Sequence, residues 1–179
     1  MYHSAREPKK RACIGKYGGI IIAYEKSINN FELGRDSMIR KFIEDDLSAL
    51  MKIWLDTNIK SHNFVSKEYW TNNYEMVKEI LPKSEIYVYE DEDTNLIVGF
   101  IGLMDSYLAG LFVKDTAQSK GVGKQLLDYA KSIKPEMTLS VYQKNIRAVN
   151  FYQREKFQIQ SENIDDNTSE KEFIMTWRE

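Results

Sequence analysis

A predicted strand runs directly into a predicted helix in the segment LFVKDTAQSKGVGK, which spans residues 111–124. Residues 111–113 are an apolar run typical of a buried strand, and Gly121 and Gly123 stand where a helical apolar pattern begins. The first amide groups of a helix have no intrahelical acceptor, and the helix dipole adds partial positive charge to them. Because glycine lets a ligand approach the backbone closely, the segment predicts a binding site for phosphate oxygens.

Two common nucleotide-binding loops do not fit this segment. The phosphate loop G-x-x-x-x-G-K-[ST] requires glycine where Gln118 stands, and it requires a hydroxyl residue where Gln125 follows Lys124. The dinucleotide fingerprint G-x-G-x-x-G requires a third glycine where the chain has Leu126. A strand-to-helix turn can also use glycine for structural reasons alone, so the segment needs support from elsewhere in the chain.

Hydrophobic periodicity predicts further elements on both sides of this segment. Spacings of three and four residues indicate helices, and alternating or continuous apolar runs indicate strands. The predicted order is strand, two helices, three strands, helix, strand, helix and two strands, at residues 39–42, 46–60, 67–80, 86–89, 96–104, 108–113, 119–134, 137–142, 146–156, 157–159 and 173–177. The strand, helix and strand around the glycine segment imply a parallel crossover. We therefore expect an α/β domain with one mixed sheet flanked by helices.

Length and composition limit the class of protein. A chain of 179 residues with 42% hydrophobic residues is long enough to bury one core. No apolar run approaches the length of a membrane span, and the N-terminus lacks the order of a signal peptide, so we expect a cytoplasmic protein. One cysteine and two histidines are too few for an intramolecular disulfide or a structural zinc site, so we expect no metal.

Charge and periodicity both change near Met38. Residues 1–37 have a net charge of +3 and no sustained hydrophobic period, whereas residues 38–179 have a net charge of −5. We interpret residues 1–37 as an N-terminal extension outside the main fold and residues 38–179 as the domain. An acidic domain argues against a nucleic-acid partner, whose phosphates attract clustered cations, and it mildly favours a cationic ligand.

Two motifs together resemble the signature of the GNAT N-acetyltransferases. The pattern [QR]-x-x-G-x-[GA] is met by Gln118, Gly121 and Gly123, and the pattern N-x-x-A-x-x-F-Y is met by NIRAVNFY at residues 145–152. The sequence VYQKN, which leads into the second motif, is similar to the small bacterial YiaC and YjaB branch of this family. The resemblance extends over residues 38–179.

This resemblance implies a GNAT fold of about six to seven mostly antiparallel strands and about four helices, in which two splayed parallel strands bind coenzyme A. It implies an enzyme that transfers the acetyl group of acetyl-CoA to a primary amine by direct attack in a ternary complex. The acceptor is either a protein lysine or a small-molecule amine. Acetyl-CoA is the implied co-substrate, and no metal, nucleic acid or membrane is implied. The protein is expected to be a monomer or a homodimer.

The same resemblance assigns a set of residues to acetyl-CoA binding. Backbone groups of the strand at residues 111–113 would pair with pantetheine, and the amide groups at the helix start would hold the pyrophosphate. The N–H of Phe112 would polarise the thioester carbonyl, and Asn145 would hydrogen-bond to pantetheine. The full set is Leu111, Phe112, Val113, Gln118, Ser119, Lys120, Gly121, Val122, Gly123, Lys124, Asn145 and Tyr152.

Catalytic roles are also implied by the resemblance. Tyr152 is the expected general acid, because a phenol with a pKa of about 10 can protonate a departing thiolate. His62 is the expected general base, since imidazole titrates near neutral pH and the link between the first two helices shapes the acceptor site in this family. Asp105, at the end of a predicted strand, is the second choice for the base.

Two other classes of function remain open on the sequence alone. A non-catalytic sensor of acyl-CoA would keep the phosphate-binding segment without turnover, and a structural partner-binding domain would not use that segment. The aromatic residues in and around the first two predicted helices either line an acceptor pocket or pack in the core, and the amphipathic character of these helices favours the core. These residues are Trp54, Phe64, Tyr69, Trp70 and Tyr74.

The chain departs from the family pattern at one helix end. The family usually has glycine after the Phe-Tyr pair and before a phenylalanine, whereas this chain has Lys156 before Phe157. A left-handed cap at that position would cost a residue other than glycine about 1 kcal/mol. We expect local strain at Lys156 with no effect on the chemistry.

Overall fold

The computed structural model of this protein describes residues 38–179. These residues form seven strands and five α-helices, in the predicted order except that one predicted helix is divided. The elements are β1 (Ile39–Lys41), α1 (Leu47–Ser61), α2 (Lys67–Asn72), α3 (Tyr74–Ile80), β2 (Glu85–Glu90), β3 (Ile97–Met104), β4 (Tyr107–Val113), α4 (Val122–Ile133), β5 (Glu136–Tyr142), α5 (Ile146–Arg154), β6 (Gln158–Ile164) and β7 (Lys171–Arg178). The predicted N-terminal extension lies outside the described residues. None of the helices in this part of the chain is long and apolar enough to cross a membrane.

All seven strands belong to one sheet, in the order β1-β2-β3-β4-β5-β7-β6. Every neighbouring pair is antiparallel except β4 and β5, which run parallel. These two strands are paired only at Tyr107 and Thr138, where the Thr138 N–H donates to the Ser106 C=O at 2.9 Å. Beyond that point the strands diverge. The expected mixed, mostly antiparallel sheet with splayed parallel strands is therefore confirmed.

Helices cover both faces of the sheet, because the side chains of a strand alternate between its two faces. Phe100 of β3 belongs to the hydrophobic cluster under α1, α2 and α3, whereas Ile101 belongs to the cluster under α4 and α5. β3 is therefore buried on both sides, which explains its nearly continuous apolar sequence. Trp54 and Trp70 are buried in the first cluster, as their helical spacing favours.

Two predicted helices differ from the observed ones at polar or glycine positions. The helix predicted at residues 67–80 is divided into α2 and α3 at Asn73, whose side-chain amide donates to the backbone C=O four residues earlier at 2.7 Å. Such local bonds compete with the helical pattern. α4 begins at Val122 instead of Ser119, because Ser119 and Gly121 have left-handed backbone angles, with φ of 63° and 89°.

β6 extends over Gln158–Ile164 instead of the predicted residues 157–159. It is an edge strand and all of its residues are exposed, so its sequence lacks the apolar pattern by which strands are predicted. Backbone pairing with β7 holds it in the sheet. The shorter prediction is therefore wrong, because backbone pairing with a neighbouring strand does not require an apolar pattern in the local sequence.

The predicted left-handed conformation at Lys156 is confirmed by a φ of 67°. The residue follows α5, and its N–H donates to the Gln153 C=O at 3.0 Å. The next N–H, that of Phe157, donates to the Tyr152 C=O at 2.9 Å. These two bonds satisfy carbonyl groups at the helix end and offset the steric cost of a side chain with a Cβ.

Gly99 of β3 is a point at which the sheet touches α4. An added Cβ there would lie 2.9 Å from the Phe112 backbone oxygen and 3.1 Å from Val122 Cγ1. We expect Gly99→Ala to lower the free energy of unfolding by about 1–3 kcal/mol, because the backbone or the helix would have to shift. Chemical denaturation of the two proteins measures this difference.

Gly123→Ala is the matched control for this substitution. Its added Cβ would meet side chains at 3.7–3.9 Å, which is an ordinary contact distance, and alanine has a higher helix propensity than glycine. The control is expected to keep or slightly raise the free energy of unfolding. An equal loss of stability in both variants would contradict the steric explanation.

Candidate active site

A cavity of about 620 Å³ lies in the gap between β4 and β5. Its wall includes the C-terminal half of β4, the first turns of α4 and α5, and the end of α1. His62 and Trp70 line it from the side of α1 and α2, whereas Gly123 and Tyr152 line it from the side of α4 and α5. A single cavity therefore brings together side chains that belong to opposite faces of the sheet.

The backbone of β4 presents hydrogen-bonding groups to this cavity. The Lys114 N–H donates to the Val98 C=O at 2.8 Å, which marks this residue pair as hydrogen-bonded. Bonded and non-bonded pairs alternate in an antiparallel ladder, so Phe112 is bonded to β3 whereas Leu111 and Val113 direct their backbone groups toward β5. Because β5 has diverged at that point, the N–H groups of Leu111 and Val113 face the cavity.

This register corrects one predicted contact. The N–H of Phe112, which is the expected donor to the thioester carbonyl, is directed at β3 and away from the cavity. The N–H groups of Leu111 and Val113 are the backbone donors at the cavity wall. The side chain of Phe112 still lines the cavity, and its ring stacks on Phe100 with 4.9 Å between ring centroids.

The start of α4 offers a second row of amide groups. The first backbone bond into the helix runs from the Gln125 N–H to the Gly121 C=O at 3.0 Å. The N–H groups of residues 122–124 precede that bond and have no intrahelical acceptor. Gly121 adopts its left-handed φ of 89° without steric cost because it has no Cβ. This geometry suits the binding of phosphate oxygens at a helix N-terminus.

Side chains from the loop and from α5 hold this segment in place. Gln118 donates from Nε2 to the Val113 C=O at 2.9 Å and accepts at Oε1 from Arg147 Nη1 at 2.6 Å. Arg147 also donates to the Ser119 hydroxyl at 3.2 Å. Arg147, a variable position of the second motif that sequence reasoning missed, thus connects the two motifs.

Ten of the twelve residues predicted to bind acetyl-CoA line the cavity, and Lys120 and Val122 do not. Lys120 is exposed, and the Val122 side chain is buried beside β3, so Val122 offers only its backbone N–H. Lys124 lines the cavity, but its ammonium pairs with Asp128 and lies 3.9 Å from a Glu155 carboxylate oxygen. Backbone amides are therefore expected to contribute more to phosphate binding at this end of the cavity than unpaired lysine charge does.

Tyr152 lines the cavity from α5. Its side chain is 8% exposed, and its ring centroid lies 5.3 Å from that of Phe151 and 5.5 Å from that of Phe157. Within the described part of the chain, its hydroxyl has no hydrogen-bond partner. Burial, together with the nearby Tyr107, raises the pKa of Tyr152. The phenol is therefore protonated at neutral pH and has a proton free to donate.

His62 is held by hydrogen bonds at both ring nitrogens. Its Nδ1 lies 3.1 Å from Asn58 Oδ1, which is an acceptor because Asn58 Nδ2 donates to the Trp54 C=O. Its Nε2 lies 3.1 Å from Asn145 Nδ2, whose partner atom Oδ1 accepts from the Ala148 N–H. The network thus assigns a neutral ring with its proton on Nδ1. Burial lowers the pKa of His62 to about 4, which agrees with a neutral ring.

This geometry argues against both predicted general bases. A base needs a free lone pair, and the lone pair of this His62 tautomer already accepts a bond from Asn145. Asp105 lies in the turn between β3 and β4, where it is exposed and outside the cavity wall. In this arrangement His62 has no free lone pair for a substrate proton, and Asp105 does not reach the cavity. Asn145, expected to bind pantetheine, has one side-chain N–H left for that purpose.

The polar end of the cavity is missing from the sequence predictions. It is formed by Tyr107, Tyr142, Asp165 and Glu172. The Tyr142 hydroxyl donates to Asp165 Oδ2 at 2.5 Å, and Asp165 Oδ1 accepts from the Asn167 N–H at 2.9 Å. These residues come from three strands and a turn, so no local motif joins them. The one usable signal in the sequence is the carboxylate of Glu172 directly before the apolar residues 173–175, and the structure shows it to be only 6% exposed.

The chain is similar to acetyltransferases in sequence and in fold. A family model described as acetyltransferase (GNAT) domain matches residues 82–159. Peptidyl-lysine N-acetyltransferase YiaC from Escherichia coli K12 is 33% identical over 142 residues, which cover 78% of this chain and 96% of YiaC. The match to YiaC includes nearly the whole of that relative.

Two solved structures share the fold. The solution structure of apo YjaB from Escherichia coli has a TM-score of 0.70 and 28% identity, and the match covers 78% of this chain and 95% of YjaB. The crystal structure of PaiA N-acetyltransferase from Thermoplasma acidophilum in complex with coenzyme A has a TM-score of 0.67 and 23% identity, covering 79% and 98% of the two chains.

The geometry and the similarities agree. The amide groups of β4 and of the start of α4 fit the amide-bearing arm and the phosphates of coenzyme A. The match to YiaC is strong and long enough to establish common descent. The chain therefore belongs to the GNAT family and is an acetyl-CoA-dependent N-acetyltransferase.

Proposed function

We propose that this enzyme acetylates lysine side chains of proteins or peptides. The supporting observation is that one cavity connects the amide groups of α4 to a polar end that contains Asp165 and Glu172. An acetyl donor and a cationic amine can therefore be held in the same cavity at the same time. YiaC is named a peptidyl-lysine N-acetyltransferase, which favours lysine over a small-molecule amine. Action in the cytoplasm remains part of the proposal.

Acetyl-CoA supplies an acetyl group activated as a thioester, and the chain contributes binding and orientation. In the proposal, the N–H groups of residues 122–124 bind the pyrophosphate oxygens, and those of Leu111 and Val113 bind pantetheine along β4. One of the two β4 donors stabilises the negative charge that develops on the carbonyl oxygen during attack. A nucleophilic residue is not needed, because the amine attacks directly.

Tyr152 acts as the general acid in this proposal. Tyr152 lines the cavity and its hydroxyl has no hydrogen-bond partner in the described residues, so its proton is available to the sulfur of the leaving group. The raised pKa keeps the phenol protonated at the pH of the reaction. The packing of its ring between Phe151 and Phe157 fixes the direction of the hydroxyl.

His62 acts as a positioning residue. It donates to Asn58 at the end of α1 and accepts from Asn145, whose Oδ1 caps the start of α5. The α5 helix carries Tyr152, so the imidazole connects the acceptor side of the cavity to the helix that holds the acid. Its ring also stacks on Trp70, with 5.4 Å between centroids and 30° between planes.

The proposed function predicts acetyl transfer to lysine peptides. Wild-type enzyme with acetyl-CoA should release free coenzyme A thiol when an acetylatable lysine peptide is present, and mass spectrometry should show one added acetyl group on the lysine. A peptide with arginine in place of lysine is the matched control and should give only background release. Turnover with small primary amines and none with any lysine peptide would contradict the proposed acceptor class.

Tyr152→Phe tests the acid. We expect kcat to fall by about 10²-fold or more, because the thiolate would leave without a positioned proton donor. Thermal stabilisation by acetyl-CoA should be kept, since the amide groups that bind the donor are unchanged. Tyr129→Phe is the control, because it removes a phenol from α4 outside the cavity. A kcat within a few-fold of wild type in Tyr152→Phe would exclude the assigned role.

The hydrogen-bond network predicts the titration of His62. Nuclear magnetic resonance should give a pKa of about 4 and a neutral ring with its proton on Nδ1. Because this folded pKa lies below the ordinary value of about 6.5, the unfolded chain takes up the proton first as the pH falls. The contribution of the neutral ring to the free energy of unfolding is therefore fully present above about pH 6.5, and it is lost as the pH falls toward about 4.

The neutral ring contributes up to about 3 kcal/mol to the free energy of unfolding, because folding lowers the pKa of His62 from 6.5 to about 4. Denaturation of wild type and His62→Gln between pH 7 and pH 4 measures this contribution, because the variant lacks the titrating ring. The difference in unfolding free energy between the two should shrink as the pH falls. A His62 pKa near the ordinary value would show that the ring is not held as described.

A further inference from the structure

We propose that Glu172 binds the cationic acceptor amine and takes its proton before attack. The inference rests on the proposed function only in the choice of lysine as acceptor, because any primary alkylammonium ion would meet the same carboxylate. A primary amine with a pKa of about 10.4 is almost entirely protonated at neutral pH and cannot attack in that form. Since the free lone pair of His62 is engaged by Asn145 and Asp105 lies outside the cavity wall, we looked for another proton acceptor in the cavity.

Glu172 is placed on the acceptor side of the cavity. It lies on β7 directly opposite Tyr142 of β5, and residues paired across two strands face the same side of the sheet. Tyr142 belongs to the hydrophobic cluster under α1, α2 and α3, whereas Tyr152 belongs to the cluster under α4 and α5. Glu172 and Tyr152 therefore approach the gap between β4 and β5 from opposite faces of the sheet. This placement suits a base that acts on the attacking amine and an acid that acts on the leaving sulfur of the same thioester.

One carboxylate oxygen of Glu172 has no partner. Its Oε1 accepts from Asn163 Nδ2 at 3.2 Å, while its Oε2 has no hydrogen bond or ion pair within the described residues. The side chain is 6% exposed, and no lysine or arginine among those residues pairs with it. A carboxylate that is nearly buried without a cation is unfavourable. The arrangement is therefore suited to a cation that arrives with the substrate.

Two other carboxylates line the cavity: Asp165 is occupied by hydrogen bonds, and Glu155 lies at the other end, beside Lys124. Asp165 accepts at Oδ2 from the Tyr142 and Thr168 hydroxyls and at Oδ1 from the Asn167 backbone and side-chain amides. Glu155 is 14% exposed, and its Oε2 lies 3.9 Å from the Lys124 ammonium at the end where the phosphates bind. At the polar end of the cavity, Glu172 Oε2 is therefore the carboxylate oxygen that has no partner among the described residues.

The surroundings of Glu172 make it a better base than an exposed carboxylate. Burial raises its pKa most, the bond from Asn163 opposes that rise, and the charge of Asp165 adds to it. A carboxylate with a raised pKa holds a proton more firmly once it has taken one. Tyr107 and Tyr142 form the adjacent wall and present aromatic rings that suit the methylene stem of a lysine side chain.

The proton and electron balance of the reaction is complete with these groups. Glu172 takes one proton from the ammonium ion, and the freed nitrogen lone pair forms the C–N bond to the thioester carbon. The C–S bond breaks with its electron pair on sulfur, and Tyr152 gives that sulfur a proton. Tyr152 recovers a proton from the nitrogen, which must lose a second one to become an amide. The proton on Glu172 is then released to water.

Glu172→Gln tests the proposal with two acceptor peptides that differ only at the reacting residue, lysine in one and thialysine in the other. Thialysine has nearly the same length and a lower amine pKa, so a larger fraction is neutral without a base. We expect kcat/KM with the lysine peptide to fall by about 10²-fold or more, and the fall with the thialysine peptide to be several-fold smaller. A purely structural role would lower both values equally.

Two further variants keep the result interpretable. Glu172→Asp retains a carboxylate and should keep more activity than Glu172→Gln, even if both are less stable than wild type. Glu136→Gln removes a charge from the far end of the same pair of strands, where Glu136 pairs with Arg178, and should leave kcat/KM unchanged. Thermal stabilisation by acetyl-CoA in each variant confirms that the donor site is folded.

Equal losses with both peptides, or a loss of less than about threefold, would overturn the assignment to Glu172. These outcomes are distinct from failure of the proposed lysine acceptor, which would appear in the wild type. If wild type acetylates only small amines, the same comparison is made with butylamine and with 2-methoxyethylamine, whose pKa is lower. A larger loss with butylamine would then support Glu172, and equal losses would exclude it.

Discussion

The divergence of β4 from β5 is the constraint on which the rest of the structure depends. The two parallel strands share one residue pair, Tyr107 with Thr138, and then separate. Separation leaves backbone amides of β4 without the neighbour that a continuous sheet would provide, and a buried amide without a partner costs about 1–3 kcal/mol. A ligand that carries amides of its own can take the place of the missing strand. The separation of β4 from β5 thus determines both the shape of the sheet and the place where acetyl-CoA binds.

Buried polar groups in and around the cavity fall into two kinds. The His62 ring and the Asp165 carboxylate have their hydrogen-bonding capacity used by neighbouring side chains or backbone, so they fix the shape of the wall. The Tyr152 hydroxyl and Glu172 Oε2 lack partners among the described residues, so they are available to a substrate. In a low-dielectric cavity, a group whose hydrogen bonds are already made gains little binding free energy from a ligand, whereas a group without a partner gains much more. The first kind therefore has a structural role and the second kind a reactive one.

Much of the fold follows from local sequence. Apolar periodicity predicts the order of strands and helices, and it predicts α4 to within three residues of its observed start. Lys156 is left-handed, as the family pattern of glycine at that position predicts. The predictions fail where neighbours decide the outcome: at Asn73, whose side chain interrupts a helix, and along β6, which is held only by pairing with β7.

The sequence by itself determined the family, the order of elements and most of the donor-binding segment, because these depend on residues close together in the chain. The tertiary structure decided which β4 amides face the gap, since strand register selects Leu111 and Val113 over Phe112. It also decided the state of His62, because Asn145, which donates to its Nε2, is far from it in the chain, although Asn58 lies only four residues away. The polar end around Glu172 arises only when distant strands pair, and no local pattern in the sequence records which side chains that pairing brings together.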